Sequence, residues 1–235
     1  MDSYKKKQGY LWTFVTEKDF QLKKFIKIIT KENKNFRLKI LDIGCGNGKH
    51  MILAAKAGLE PYGIDISPIA IKQARKSALK QKVKVNFKVG NALDIKYPKN
   101  YFDAVIDFSC FTHIRKPYWN RYFKQVSKVL KPEGYYLLSV WSKNSSNLSE
   151  IKGFNPKKSK RKWSVVKRKG LAGMLYSYYF TKKDLVTLLK MKKFKIFLIN
   201  EVLLRSYAKI MPGSRLKLWF VFCKRKSSSN RKSFT

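Results

Sequence analysis

The stretch Leu41-Asp42-Ile43-Gly44-Cys45-Gly46-Asn47-Gly48-Lys49 carries the clearest chemical signal in the chain. An apolar run enters a turn with glycine at alternate positions, and an amphipathic segment follows. Glycine lets the backbone turn sharply and come close to a ligand, and a helix start beyond it offers unpaired N–H groups. By itself such a loop points only to a nucleotide-like ligand. The spacing, however, is G-x-G-x-G, with Lys49 where a dinucleotide fold has its third glycine, and no G-x-x-x-x-G-K-[ST] phosphate loop occurs. Asp42 stands just before the turn. A carboxylate there repels a pyrophosphate and attracts an ammonium group.

Two further acids follow at matching points. Asp65 ends Tyr62-Gly63-Ile64-Asp65, and a carboxylate at such a strand end accepts hydrogen bonds from both hydroxyls of a ribose. Asp94 ends Gly90-Asn91-Ala92-Leu93-Asp94, a position beside an adenine, whose amino group needs an acceptor. Ammonium, ribose diol and adenine together describe S-adenosylmethionine, whose sulfonium carries an activated methyl group.

The elements that must position these residues alternate in type. Residues 38–43, 59–64, 83–89, 102–108 and 135–141 read as strands. Residues 49–57, 68–80 and 117–130 read as helices, with Ser67 as an N-cap. Upstream, Phe20, Leu22, Phe25, Ile26 and Ile29 recur at helical spacing within 4–34, behind an aromatic-rich segment. After Trp141 the alternation stops, and 142–175 reads as a basic insertion with little core of its own. Thr181 caps a helix over 181–189, with Asp184 three residues on in an approximate capping box. Residues 194–204 and 216–223 are two further strands, expected to pair antiparallel. The expectation is an α/β fold: a doubly wound, Rossmann-like, seven-stranded, mostly parallel sheet with a C-terminal antiparallel hairpin. Residues 1–35 would form an N-terminal cap, 36–225 the main domain, and 226–235 a disordered basic tail.

Composition bounds the partners. Lys+Arg number 53 against 14 Asp+Glu, a formal net charge of +39. That predicts attraction to polyanions, although the bases are mostly lysine and spread along the whole chain, as coding bias alone would produce. The densest run, from Lys157 to Lys169 with Trp163 interleaved, suits either a nucleic-acid contact or a solvated insertion. Three distant cysteines, Cys45, Cys110 and Cys223, give neither a disulfide framework nor metal-ligand spacing, so no metal is expected. No apolar core follows Lys5-Lys6-Lys7, and no run long enough to span a membrane occurs, so a cytoplasmic setting is expected.

Over about 36–141 the chain resembles the class I S-adenosylmethionine-dependent methyltransferases. The glycine loop, Asp65, Asn91-Ala92-Leu93-Asp94, Phe102-Asp103-Ala104-Val105-Ile106-Asp107 and Val129-Leu130-Lys131-Pro132-Glu133-Gly134 match that family's motifs in order. Glu133 departs from the usual glycine, which bears on the turn. The resemblance implies cofactor contacts from Asp42, Gly44, Cys45, Gly46, Gly48, Asp65, Ile66, Asn91, Ala92, Asp94 and Phe108, with S-adenosylhomocysteine as product.

The acceptor is less constrained. No [DN]-P-P-[YFW] occurs, against adenine amino methylation, and Ser109-Cys110 lacks the proline that precedes a cytosine-5 nucleophile, so Cys110 reads as structural. The run Asp107-Phe108-Ser109-Cys110-Phe111-Thr112-His113-Ile114 resembles the thiopurine and tellurite-resistance types, as does Gly9-Tyr10-Leu11-Trp12. Tyr178-Tyr179-Phe180-Thr181 is similar instead to a wobble-uridine tRNA methyltransferase family. His113 is the general-base candidate by type, against a structural role, and Asp107 would touch the methionine moiety or the acceptor. Tyr10, Trp12, Trp141 and Tyr179 would line the acceptor site, or else pack the core. Arg205 and Arg215 would meet an anionic acceptor, or solvent. A small-molecule acceptor is the first reading, RNA the alternative, and a non-catalytic binding module of this fold the third. Oligomeric state is not legible. Asp65→Ala is expected to weaken cofactor binding about tenfold or more, because ribose hydroxyls lose a charged acceptor; unchanged affinity by calorimetry in a folded variant would refute that assignment.

Overall fold

The computed structural model describes residues 16–33, 37–146, 156–160, 162–167, 174–206 and 215–227. Its helices are α1 (Thr16–Glu32), α2 (Lys49–Lys56), α3 (Pro68–Lys80), α4 (Trp119–Val129) and α5 (Lys182–Met191). Its strands are β1 (Lys39–Ile43), β2 (Glu60–Asp65), β3 (Asn86–Val89), β4 (Phe102–Phe108), β5 (Leu130–Trp141), β6 (Trp163–Lys167), β7 (Met174–Tyr178), β8 (Phe194–Leu203) and β9 (Lys217–Arg225).

Seven strands form one sheet in the order β3-β2-β1-β4-β5-β9-β8. The first five are parallel, and β9 runs antiparallel to both β5 and β8. Chain order reverses between β1 and β4, and ligands of such sheets bind at the carboxyl ends of the strands beside that point.

Alternation along the strands feeds two cores. Ile40, Ala104, Ile106 and Leu137 pack toward the face that carries α1, whose Leu22, Phe25, Ile26 and Ile29 join the same cluster. Leu41, Val105, Tyr136 and Leu138 pack toward α4 and α5 through Phe123, Val126, Leu185 and Leu189. Each such side chain contributes roughly 1.5–3 kcal/mol on burial, so α1 is held by its apolar stripe. Phe20, expected on that stripe, is 65% exposed because it sits half a turn away from Leu22.

Several expected boundaries move. The third strand begins at Asn86 rather than residue 83, because Lys82 takes a left-handed φ of 52° and Val83 N bonds back to Ala78. A 3-10 turn over Lys116–Tyr118 precedes α4. The turn at Lys131 is part of β5, where Glu133 adopts a φ of 57°, the backbone that glycine would take more easily. The larger correction concerns the basic insertion, which forms an antiparallel pair, β6 with β7. Trp163 stacks on Tyr176 there at 6.3 Å, and Lys162 pairs with Asp184 at 2.7 Å.

The C-terminal helix forms as its sequence dictates. Thr181 Oγ1 accepts from Asp184 N at 3.1 Å and Asp184 accepts from Thr181 N at 2.9 Å. Thr181→Ala removes half of that reciprocal cap and is expected to cost about 1 kcal/mol in denaturant unfolding.

Candidate active site

The glycine loop is built where β1 meets α2. Gly44, Gly46 and Gly48 have φ of 75°, 54° and 79°, left-handed values that disfavour any side chain. Space is equally limiting, because a Cβ on Gly44 would lie 2.7 Å from Cys110 Cβ, and one on Gly48 would lie 2.3 Å from Phe87 Cζ. The loop is tied to the end of β2 by Asp65, whose Oδ2 accepts from Gly46 N at 2.9 Å. Its Oδ1 accepts from Ser67 N at 2.9 Å. A carboxylate oxygen takes two hydrogen bonds, so both retain capacity for ribose hydroxyls. Burial raises the Asp65 pKa and those two N–H groups pull it down.

Gly90 N bonds to the Asp65 carbonyl at 2.9 Å, which sets the 91–94 turn beside that carboxylate. Asn91 Oδ1 accepts from Leu93 N at 2.8 Å, and Asp94 pairs with Lys96 at 2.8 Å. Ile66 and Val89 are 73% and 54% exposed at the same edge, an apolar surface suited to a base ring. Ile66 follows Asp65 in the chain and the 91–94 turn follows β3 at the same sheet edge; none of Ile66, Asn91, Ala92 and Asp94 lines the neighbouring cavity.

That cavity, of about 300 Å³, opens at the carboxyl ends of β1 and β4. Gly44, Cys45, Gly46, Asn47 and Asp65 form its loop side. Phe108, Ser109, Cys110, His113 and Trp141 line it from the ends of β4 and β5 and the turn after β4, and Lys18, Lys49 and His50 complete the wall. His113 Nδ1 lies 2.9 Å from the carbonyl of Tyr176 and 3.3 Å from Ser177 Oγ, both on β7. A carbonyl only accepts, so Nδ1 carries the proton and the lone pair sits on Nε2. The insertion thereby fixes the tautomer of the candidate base. Its ring also meets Trp141 edge-on at 5.6 Å.

Several residues expected at the site do not line the cavity. Asp107 is 0% exposed and accepts from Cys110 N at 2.7 Å, Phe111 N at 2.9 Å and Tyr122 Oη at 2.5 Å. It anchors the 3-10 turn Phe111–His113 from below and does not line the cavity. Burial pushes its pKa up to about 7. Tyr179 is fully buried behind Trp141, at 5.3 Å, and is a core residue. Arg205 and Arg215 also stand off the cavity wall, and Tyr10 and Trp12 lie outside the described residues. Cys110 sits against Gly44 with its thiol pKa raised by burial, which suits the structural reading.

Asp42 is 1% exposed, lies under the loop rather than on the cavity wall, and neither carboxylate oxygen finds a hydrogen-bond partner among the described residues. Burial and the charges of Asp107 and Asp65 raise its pKa, while Lys18 opposes them. A buried acid with both oxygens unused beneath the glycine turn offers acceptors to a donor above it. With the ribose-ready Asp65 and the exposed apolar edge, the donor set fits the aminoacyl and adenosyl parts of S-adenosylmethionine.

Sequence reading missed Lys18, Asp19 and His50. Lys18 lies on the α1 stripe at the spacing 18-22-25-29, a lysine at an otherwise apolar position, which was the available signal. His50 packs on Phe108 at 4.3 Å, with Nδ1 3.8 Å from Asp42 and Nε2 3.7 Å from Asp19. Burial and the nearby Lys18 and Lys49 hold its pKa well below the usual imidazole range. Among the described residues no cluster of three or more His, Cys, Asp or Glu could hold a metal ion. Nor is any described helix long and apolar enough to cross a membrane.

Residues 40–134 match a family model described as a methyltransferase domain. The chain is 29% identical over 130 residues to a chloroplastic tocopherol O-methyltransferase of Arabidopsis thaliana, covering 54% of this chain and 37% of that protein. It is 33% identical over 126 residues to phosphoethanolamine N-methyltransferase 1 of Zea mays, covering 53% of this chain and 25% of that one. The chain thus spans well under half the length of these curated relatives. A solved S-adenosylmethionine-dependent methyltransferase from Methanosarcina mazei superposes with a TM-score of 0.66 at 25% identity, over 83% of this chain and 96% of that one. Motifs, sheet order and matches agree: residues 40–134 match a methyltransferase domain, and the sheet is that of the S-adenosylmethionine-dependent methyltransferase fold.

Proposed function

We propose that the chain transfers the methyl group of S-adenosylmethionine to a small-molecule acceptor. The observation that carries this is the cavity of about 300 Å³ that runs from the glycine loop to His113 and Trp141. It has the cofactor's loop at one end and His113 and Trp141 at the other, and the relatives' names speak of tocopherol and phosphoethanolamine, which are small molecules.

The cofactor supplies a methyl group on a sulfonium, already activated for displacement. The chain's task is then to hold, orient and exclude water. Asp65 would hold the ribose through the lone pairs that Gly46 and Ser67 leave available. Asp42 would offer the ammonium its unused carboxylate oxygens. Phe108 and Trp141, 8% and 3% exposed, shield the far side from water. His113, with its proton on Nδ1, would take the acceptor's proton on Nε2 as the methyl group arrives.

The RNA alternative drew on the basic insertion. There, Lys143 Nζ bonds to the carbonyls of Pro156 and Ser159, Lys162 pairs with Asp184, and Trp163 stacks on Tyr176. These contacts tie Lys162 to α5 and Trp163 to β7, so that part of the basic run has a role within the fold.

Incubation with methyl-labelled cofactor and fractionated cell extract should place label among small molecules and leave RNA unlabelled. Label in a discrete RNA class, lost steeply with added salt, would overturn the reading. His113→Ala should lower kcat by roughly 10²–10⁴ while S-adenosylhomocysteine affinity stays within about threefold; an unchanged kcat would remove His113 from the chemistry.

A further inference from the structure

One face of α3 is wholly basic. Lys72, Arg75, Lys76 and Lys80 stand at i, i+3, i+4 and i+8 spacing and are all exposed. Lys82 and Lys84, exposed as well, continue the same sign past the helix end toward β3, an edge strand of the sheet. Between Asp65 and Asp94 the chain holds seven Lys or Arg and no acid. The nearest acids are engaged: Asp65 accepts from Gly46 and Ser67, Asp94 pairs with Lys96, and Glu60 at the start of β2 accepts from Tyr62. Of the 14 acids only Asp2 and Glu150 lie outside the described residues.

Like charges three and four residues apart destabilise a helix, and α3 carries no acid to offset them. The lysines of α1 differ in this respect. Lys23, Lys27 and Lys31 have the same spacing and exposure, but they share their helix with Glu17, Asp19 and Glu32. A cleft of about 610 Å³ opens beside the α3 face at the amino ends of β2 and β3, with Arg37, Arg75 and Lys84 on its wall. Arg75 donates to the Phe87 carbonyl at 2.8 Å, which holds its guanidinium in place. A guanidinium has further N–H donors to spare, and its planar fork suits the oxygens of a phosphate. From Lys72 to Lys80 the helix rises about 12 Å, the axial length of roughly three to four phosphates of one strand.

We propose that the α3–β3 edge docks the phosphodiester backbone of a nucleic acid. The surface is separate from the methyl-transfer cavity, whose wall none of these cations joins. Docking there is independent of what the cavity methylates. An anionic membrane fits the face less well, because a helix lying in a bilayer needs an apolar face and Leu79 is the one large apolar side chain that α3 exposes.

The test follows the anisotropy of a labelled RNA duplex of about 20 base pairs with the full chain, between about 50 and 200 mM salt. A chain of net charge +39 attracts any polyanion, so the comparison is between two charge-matched variants. The triple variant Lys72→Gln, Lys76→Gln, Lys80→Gln should bind about tenfold or more weakly and lower the slope of log K against log salt by about 3. The triple variant Lys23→Gln, Lys27→Gln, Lys31→Gln removes the same charge from α1; it should bind within about threefold of the wild type, with the slope changed by less than about 1. Should the α3 triple fail to fold, Lys72→Gln and Lys76→Gln singly decide, each lowering the slope by about 1.

Equal losses in the two triples overturn the proposal, because the charge then acts as a whole. An unchanged slope in the α3 variants overturns it too. So does binding to phosphatidylserine vesicles through the same lysines by a wild type that has no affinity for the RNA.

Discussion

The site depends on one constraint, the crossing of the glycine loop over the end of β2. Three left-handed glycines bring the backbone within reach of Asp65, and Gly46 N donates to that carboxylate. The close approach is possible only without side chains, since Cys110 and Phe87 occupy the space a Cβ would take at Gly44 and Gly48. Cys110 in turn stands where it does because Asp107 accepts its amide from below. Loop, acid and 3-10 turn are one packed unit, and a change in any of them moves the cavity wall.

A second constraint is electrostatic. In a chain of net charge +39, Asp42 and Asp107 are two of its 14 acids, and both are buried under the site. Burial of a carboxylate is costly unless it is compensated. Asp107 is compensated by three hydrogen bonds. Asp42 has the field of Lys18 and the nearby His50 but no hydrogen bond among the described residues. Such a group leaves hydrogen-bond acceptors that the fold itself does not use. The helix that brings Lys18, α1, is fixed by Leu22, Phe25, Ile26 and Ile29, so apolar packing sets the position of a charged group in the site.

The features legible in the sequence are the local ones. The glycine loop, Asp65 and the 91–94 turn follow their strands directly, so their motifs place them. The antiparallel closing pair and the Thr181 cap were legible for the same reason. Non-local features were not. Lys18 reaches Phe108, 90 positions away in sequence, and the Tyr176 carbonyl reaches His113 across 63. The β6–β7 pair was obscured by its setting, because two strands of five residues each lie among the basic, serine-rich and glycine-containing stretches of 142–175. Tyr179 and Trp141 are adjacent rings, and nothing in their types tells which one faces the cavity.

The central claim is that an acid-flanked glycine loop here receives an aminoacyl-adenosyl sulfonium cofactor rather than a phosphorylated nucleotide. Calorimetric competition between S-adenosylhomocysteine and ADP on the full chain tests it most directly. The account predicts one site for S-adenosylhomocysteine, with adenosine competing and ADP failing to displace it. Displacement by ADP, or no binding of S-adenosylhomocysteine, would contradict it.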